Sequence, residues 1–145
     1  MTEKTVALDA IDREILSVLK NDARIPWQTL GERVGLSANA AADRVRRLLR
    51  RGVINRFTTV IDQRLIGRSL TAIVDARITT TAKFDDALRR RDDVVWAAHV
   101  TGVPDVKVMV ACDGTQGLDD FLHWLHKHGA TDTRTDVVLR PIIGM

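Results

Sequence analysis

Six arginines, Arg44, Arg46, Arg47, Arg50, Arg51 and Arg56, fall within residues 36–58, where Asp43 is the single acid. A block this basic attracts a polyanion. Charge alone fits a solvated helix face equally well, so the spacing of the neighbours has to decide. Ser37 can cap a helix by accepting from a first-turn amide. After it, Ala41, Val45, Leu48 and Leu49 recur at i, i+4, i+7 and i+8, an inward stripe. Helical geometry then turns Asn39, Ala40, Asp43, Arg47 and Arg50 outward, with Arg46 and Arg51 at the edges. A helix that is apolar behind and cationic in front suits a major groove between two rows of phosphates.

The chemistry available on that face is specific to its residue types. The alanines at 38, 40, 41 and 42 keep the first turns slim and let the backbone approach base edges. Asn39 can pair with adenine through two hydrogen bonds. Arg46, Arg50 and Arg51 suit phosphates, which position a protein without specifying sequence. Arg47 suits a base or a phosphate. Asp43 either accepts from a cytosine amine or, the reading preferred here, bridges Arg47 at i+4 and orients it. Ser37 and Arg44 complete the candidate DNA-contacting set.

The elements that must hold this helix are legible upstream. Ile11, Ile15, Val18 and Leu19 form one apolar stripe over residues 8–20, with Asp9 as a plausible cap. Pro26 opens a second, shorter helix with Trp27, Leu30 and Val34 inward, and Gly35 ends it. Short helix, tight Gly-Leu-Ser turn and longer basic helix make a helix-turn-helix. After Gly52, the β-branched run Val53–Ile61 reads as a strand. The expectation is a winged-helix-type helix-turn-helix over 1–62.

Residues 63–68 read as a linker to a second domain over 69–145. Leu70, Ala72, Val74, Ala76 and Ile78 alternate with mostly polar neighbours, as in a half-buried strand. A short helix over 83–91 follows. A strand over 94–101 is expected with Val94, Trp96, Ala98 and Val100 on one face. Gly102-Val103-Pro104-Asp105 is a tight turn, and Val106, Val108, Val110 and Cys112 alternate in a third strand. Leu118, Phe121, Leu122 and Leu125 mark a second helix, and 133–139 a last strand. The order βαββαβ is ferredoxin-like, and the whole chain is α+β. Ile73, Val95, Ala97, Met109, Ala111 and Val138, assigned to the face away from the helices, are too apolar for open water. A second copy of the sheet is the expected cover, hence a homodimer at least.

Other chemistries find little support. The chain has 145 residues, 45% apolar and 28% charged, enough for one domain or two small ones. Its apolar runs are far shorter than a bilayer span, and Glu3, Asp9, Asp12 and Glu14 interrupt the first 20 residues, unlike a secretory signal. Cys112 is the only cysteine, which suits a reducing cytoplasm and excludes an internal disulfide. His123 and His126 sit three apart with His128 nearby, but no third ligand type accompanies them, so no metal is expected. No glycine-flanked nucleophile, phosphate loop or dinucleotide fingerprint is present, so neither catalytic residues nor a cofactor are expected.

The run Leu8-Asp9-Ala10-Ile11-Asp12-Arg13-Glu14-Ile15-Leu16, with Gly35-Leu36-Ser37, Arg44-Val45-Arg46-Arg47-Leu48 and Gly52-Val53-Ile54, resembles the Lrp/AsnC (feast/famine) family of transcription regulators. The second half is similar to that family's effector-binding domain, through the Val100-Thr101-Gly102 turn ending at Asp105, then Gly129 and the pair Thr133 and Thr135. The resemblance implies paired DNA-binding units, dimers that assemble further, often to octamers, and a small effector, usually an amino acid. It implies an effector site at Thr101, Gly102, Val103, Pro104 and Asp105, with Thr133 and Thr135. Pro104 departs from the family pattern and removes one amide donor from that turn. Two alternatives stand beside this regulator. One is an enzyme similar to sirohaem decarboxylases, with His99 as its single candidate proton donor near the cleft. The other is an architectural DNA-binding protein without an effector.

Overall fold

The computed structural model describes residues 6–79 and 81–142, the side chains of 81 and 82 excepted. It divides into two compact units between Thr59 and Val60. The first is three helices: α1 (Ala10–Asn21), α2 (Trp27–Val34) and α3 (Ala38–Arg50). Each start has a local cause. Asp9 Oδ1 accepts from the Asp12 amide at 2.7 Å, and Ser37 Oγ accepts from the Ala40 amide at 3.2 Å. Ile15, Leu30, Leu48 and Val45 are almost wholly buried between the helices, with Val34 and Ala41 beside them. Full burial of such a side chain stabilises by about 1.5–3 kcal/mol. Trp27, expected inward, is 43% exposed, and it is Ile25, 7% exposed, that joins the core from this segment.

The turn between α2 and α3 depends on two glycines. Gly35 has φ +67°, a left-handed conformation that side chains disfavour. Gly31, inside α2, lies under the turn. A Cβ there would sit 2.5 Å from the Leu36 carbonyl oxygen and 3.0 Å from the Ser37 carbonyl carbon. Both are backbone atoms, which cannot swing aside as a side-chain end can.

The strand expected over Val53–Ile61 is not formed. The Val53 and Ile54 amides bond back to the Leu48 carbonyl, finishing α3. Beyond them, Phe57, Val60 and Ile61 are exposed, and no strand precedes β1 among the described residues. A β-branched run becomes a strand only against a partner ladder, and residues 53–61 have none here.

The second unit is β1 (Leu70–Ile78), α4 (Thr81–Arg89), β2 (Val94–His99), β3 (Val106–Cys112), α5 (Gly114–Lys127) and β4 (Ala130–Val137). The sheet order is β2-β3-β1-β4, every pair antiparallel, the expected ferredoxin-like βαββαβ arrangement. Phe84 and Leu88 of α4 and Phe121 and Leu125 of α5 pack on Ala72, Val74, Ala76, Val106, Val108 and Val110. β2 ends two residues early and β4 begins three early relative to the sequence pattern. The segment 63–68 is built into this unit. Gln63–Ile66 form a 3-10 turn capped by Asp62, and Arg68 holds Asp92 by its backbone carbonyl and its carboxylate.

A bulge in β2 overturns the expected faces of that strand. Val94 lies opposite Val110, but Trp96 lies opposite Met109, so Val95 is an extra residue. From there the alternation is inverted. Trp96 and Ala98 share the open face with Met109 and Lys107, whereas Ala97 and His99 share the helix-covered face with Val108 and Val106. The open face is also less apolar than expected. Beside the Ile73–Met109 pair it carries the Asp75–Lys107 ion pair at 2.6 Å, and Asp136 and Arg134 stand opposite Ile73 and Asp75.

Replacing Gly31 by alanine should destabilise the protein. Overpacking typically costs about 1–3 kcal/mol, which outweighs the roughly 1 kcal/mol that alanine gains in a helix. Urea unfolding followed at a helical wavelength measures the balance. A midpoint at or above that of the unaltered protein would show that the turn yields freely.

Candidate nucleic-acid interface

The outward stripe of α3 is Asn39, Asp43, Arg46 and Arg50, all exposed, at successive turns of one helix face. Behind it Ala41, Ala42, Val45 and Leu48 are buried. Arg46 Nη1 donates to Asp43 Oδ1 at 2.7 Å, an i,i+3 pair with both side chains mostly in solvent. That corrects the expected Asp43–Arg47 bridge. Arg47 is engaged elsewhere, so Asp43 takes the cation one helical step nearer.

Arg44 and Arg47 do not point away from the unit. Arg44 Nη1 donates to Asp9 Oδ2 at 2.6 Å and to Asp12 Oδ1 at 2.9 Å. Arg47 Nη2 lies 3.1 Å from both carboxylate oxygens of Asp12, and Arg47 Nε is buried without a hydrogen-bond partner. Asp12 is 1% exposed. Arg51 Nη2 donates to the Ala7 carbonyl oxygen at 3.2 Å, a neutral partner that leaves its charge uncompensated. The Arg44 guanidinium, then the Asp12 amide, hold the Asp9 carboxyl below its ordinary value of 3.8. In return Asp9, then Asp12, raise the Arg44 pKa. The sequence pattern marks Asp9 as a helix cap and gives Asp12 no partner. A sharper signal was present: Asp12 precedes the buried Ile15 and Leu19 by three and seven residues, so it lies on the apolar face of α1, where a carboxylate needs a partner.

In the second unit, Thr101, Gly102 and Val103 are exposed in the turn between β2 and β3, and the Val103–Pro104 peptide is cis. Asp105 is tied to β1. Its amide donates to the Ala76 carbonyl at 3.1 Å, and its Oδ2 accepts from the Ile78 amide at 3.1 Å. Thr133 lies opposite Ala76 on the other side of β1, so Asp105 and Thr133 flank one residue at one end of the sheet. Thr135 lies opposite Val74, farther in, and both threonines are half-buried.

His99 Nε2 lies 2.9 Å from Asp85 Oδ1, joining β2 to α4 beside a shallow groove of about 300 Å³. His123, His126 and His128 each turn Nδ1 to the carbonyl four residues earlier, and His128 stacks on Trp124 at 4.1 Å. Among the described residues no three His, Cys, Asp or Glu side chains are gathered around a point, and no helix is long and apolar enough to cross a membrane.

A helix-turn-helix with a basic second helix, followed by a ferredoxin-like sheet, defines a two-part DNA-binding regulator. The model of the AsnC-type helix-turn-helix domain matches residues 8–49, and that of the Lrp/AsnC ligand binding domain matches residues 71–144. The chain is 35% identical to the HTH-type transcriptional regulator AldR of Mycobacterium tuberculosis over 120 residues, 79% of this chain and 67% of that one. It is 31% identical to LrpA of the same organism over 136 residues, 92% of this chain and 91% of that one. The solved structure of Bacillus subtilis LrpC matches with a TM-score of 0.86 at 25% identity, covering 95% of this chain and 99% of that one. The structure of the M. tuberculosis leucine response regulatory protein (LrpA) matches with a TM-score of 0.82 at 27% identity, covering 94% and 96%. The chain belongs to the Lrp/AsnC family of transcriptional regulators. Its relatives are regulators, and the enzyme alternative is set aside.

The depressed Asp9 pKa fixes the sign of a pH dependence. A carboxyl held low by folding stabilises the native state above its unfolded pKa, and that contribution disappears as pH falls through the folded value. Asp9→Asn keeps a good helix cap and removes the charge. The melting-temperature gap between the unaltered protein and D9N should therefore be constant from pH 7 to about pH 5. It should close as pH drops below 3.8. A gap that persists unchanged in acid would show that the Asp9 charge is not its source.

Proposed function

We propose that α3 enters the major groove with Asn39, Asp43, Arg46 and Arg50 foremost, Ser37 and Arg51 at its two ends, and Arg44 and Arg47 behind. The observation that carries this reading is the single exposed polar stripe along α3, with its opposite face buried in the unit. In this arrangement Asn39 reads a base edge, while Arg46 and Arg50 neutralise phosphates and set the register. The functional unit is a homodimer, assembling further toward an octamer, with two α3 helices addressing half-sites about 10 base pairs apart. Trp96, Ile73 and Met109 on the open sheet face support a second copy as its cover.

The regulatory input is a small metabolite, and an amino acid is the class favoured here. Thr101, Gly102, Val103, Pro104 and Asp105, with Thr133 and Thr135, form its site. Asp105 Oδ2 is committed to the Ile78 amide, which leaves Oδ1 free to accept from a ligand ammonium. The exposed backbone at Gly102 and Val103 offers amides for a carboxylate, with Pro104 contributing none. Effector binding shifts the quaternary arrangement and with it the spacing of the reading helices. Such coupling is typically about 1–3 kcal/mol.

Fluorescence anisotropy with duplexes from the protein's own promoter, over a range of salt, tests the reading. Arg50→Ala should reduce the magnitude of the salt slope by roughly 0.9. Asn39→Ala should cost about 1–3 kcal/mol on the cognate site and little on random duplex. Equal losses on both sequences would remove Asn39 from base readout. Thermal-shift screening with the common amino acids tests the effector. No stabilised melt, together with intact DNA binding, would favour the effector-free architectural alternative.

A further inference from the structure

The first unit holds a charge cluster that recognition of phosphate does not account for. Asp9 and Asp12 sit at the start of α1, and Arg44 and Arg47 sit on α3, more than 30 residues later. The four side chains close through contacts of 2.6, 2.9 and 3.1 Å. Two carboxylates against two guanidinium groups give a local formal charge of zero. Asp12 is the shared member. It is buried, and it is bonded to both arginines.

We infer that Asp12 is a positioning residue for nucleic-acid recognition: it binds Arg44 and Arg47 to α1 and so withdraws two of the five α3-region arginines from the phosphate contacts. The inference rests on α3 being the DNA-facing helix. Three observations bear on it. Arg47 Nη2 is shared between the two oxygens of the buried Asp12, whereas Arg46 and Arg50 carry at most an exposed partner on their own helix. The Arg47 side chain is 43% and that of Arg44 24% exposed, against 60% for Arg46. The inner edge of the Arg47 guanidinium, through Nε, is turned into the unit. A paired, partly buried guanidinium already has its counter-charge, so it displaces no condensed cation when duplex arrives. The basic block therefore acts on DNA with fewer charges than its sequence displays. What Asp12 supplies is a fixed angle of α3 against α1.

The test measures log affinity against log salt for the full chain on a random-sequence duplex, with Asp12→Asn, Arg47→Ala and the double variant beside the unaltered protein. Asp12→Asn frees one net positive charge at the cluster, and the salt slope should steepen by about 0.9. Affinity at low salt should rise several-fold, and the double variant should return to the parental slope. Arg47→Ala alone should leave the slope where it was. A slope that flattens by about 0.9 in Arg47→Ala overturns the inference, because Arg47 would then be a phosphate contact. So would a folded Asp12→Asn with the parental slope. Should Asp12→Asn fail to fold, as its melting curve would show, Arg47→Ala still decides. If no protein in the series binds duplex at any salt, the DNA-binding reading itself fails, a result distinct from either of these.

Discussion

The buried carboxylate of Asp12 is the constraint on which the first unit turns. It is the one charged side chain among the described residues that lies wholly within a core. Removing such a group from water is costly, and only excellent pairing offsets the loss. Here two guanidinium groups supply it, and both come from α3. The penalty for leaving Asp12 unpaired is therefore also a penalty for letting α3 slide or rotate. A hydrophobic contact among Ile15, Leu30 and Leu48 tolerates small displacements. A buried carboxylate bonded to two guanidinium groups at about 3 Å does so poorly. Gly31 acts in the same direction from the other side, since the close approach of the turn to α2 leaves little room for a second packing.

Rigidity of that kind has a functional meaning in a protein of this family. A recognition helix must present its base-reading side chains at a fixed angle, and a loose one would bind many sequences comparably. The second unit contributes differently. Its helices cover one sheet face with a dry core, while the other face mixes Trp96, Ile73 and Met109 with the Asp75–Lys107 pair. A surface of that composition suits docking that is specific in register, because a displaced partner would leave the ion pair facing carbon. The turn at Thr101–Asp105 is pinned to β1 by the Asp105 carboxylate and amide, so its backbone stands on a rigid strand end.

Much of the architecture could be read from residue order alone. The apolar stripe of α3, the caps at Asp9 and Ser37, the left-handed glycine at 35 and the βαββαβ order all follow from period and local chemistry, which depend on neighbours within a turn or two. The errors share a different cause. The Val53–Ile61 run has strand-like composition, but composition does not reveal whether a partner ladder exists. The bulge at Val95 shifts the register by one residue, and strict alternation carries no mark of where a strand will slip. The pairing of Arg44 and Arg47 with Asp9 and Asp12 joins residues more than 30 apart. Helical geometry could place Arg47 on a face but could not tell what lay across from it. Asp12 was missed although its signal was present: an acid in line with Ile15 and Leu19 requires a cationic partner.

The slip in β2 also settles what the three indoles can report. Trp27 sits at the head of α2, in the unit without a sheet. Trp124 stacks against the His128 ring and lies under the guanidinium of Arg91. Trp96, turned outward by one inserted residue, is the indole on the uncovered side of the strands, half in water as Trp27 is in its own unit. Whatever comes to rest on that side must dry this ring, so its emission colour is a gauge of occupancy that the chain carries without any label.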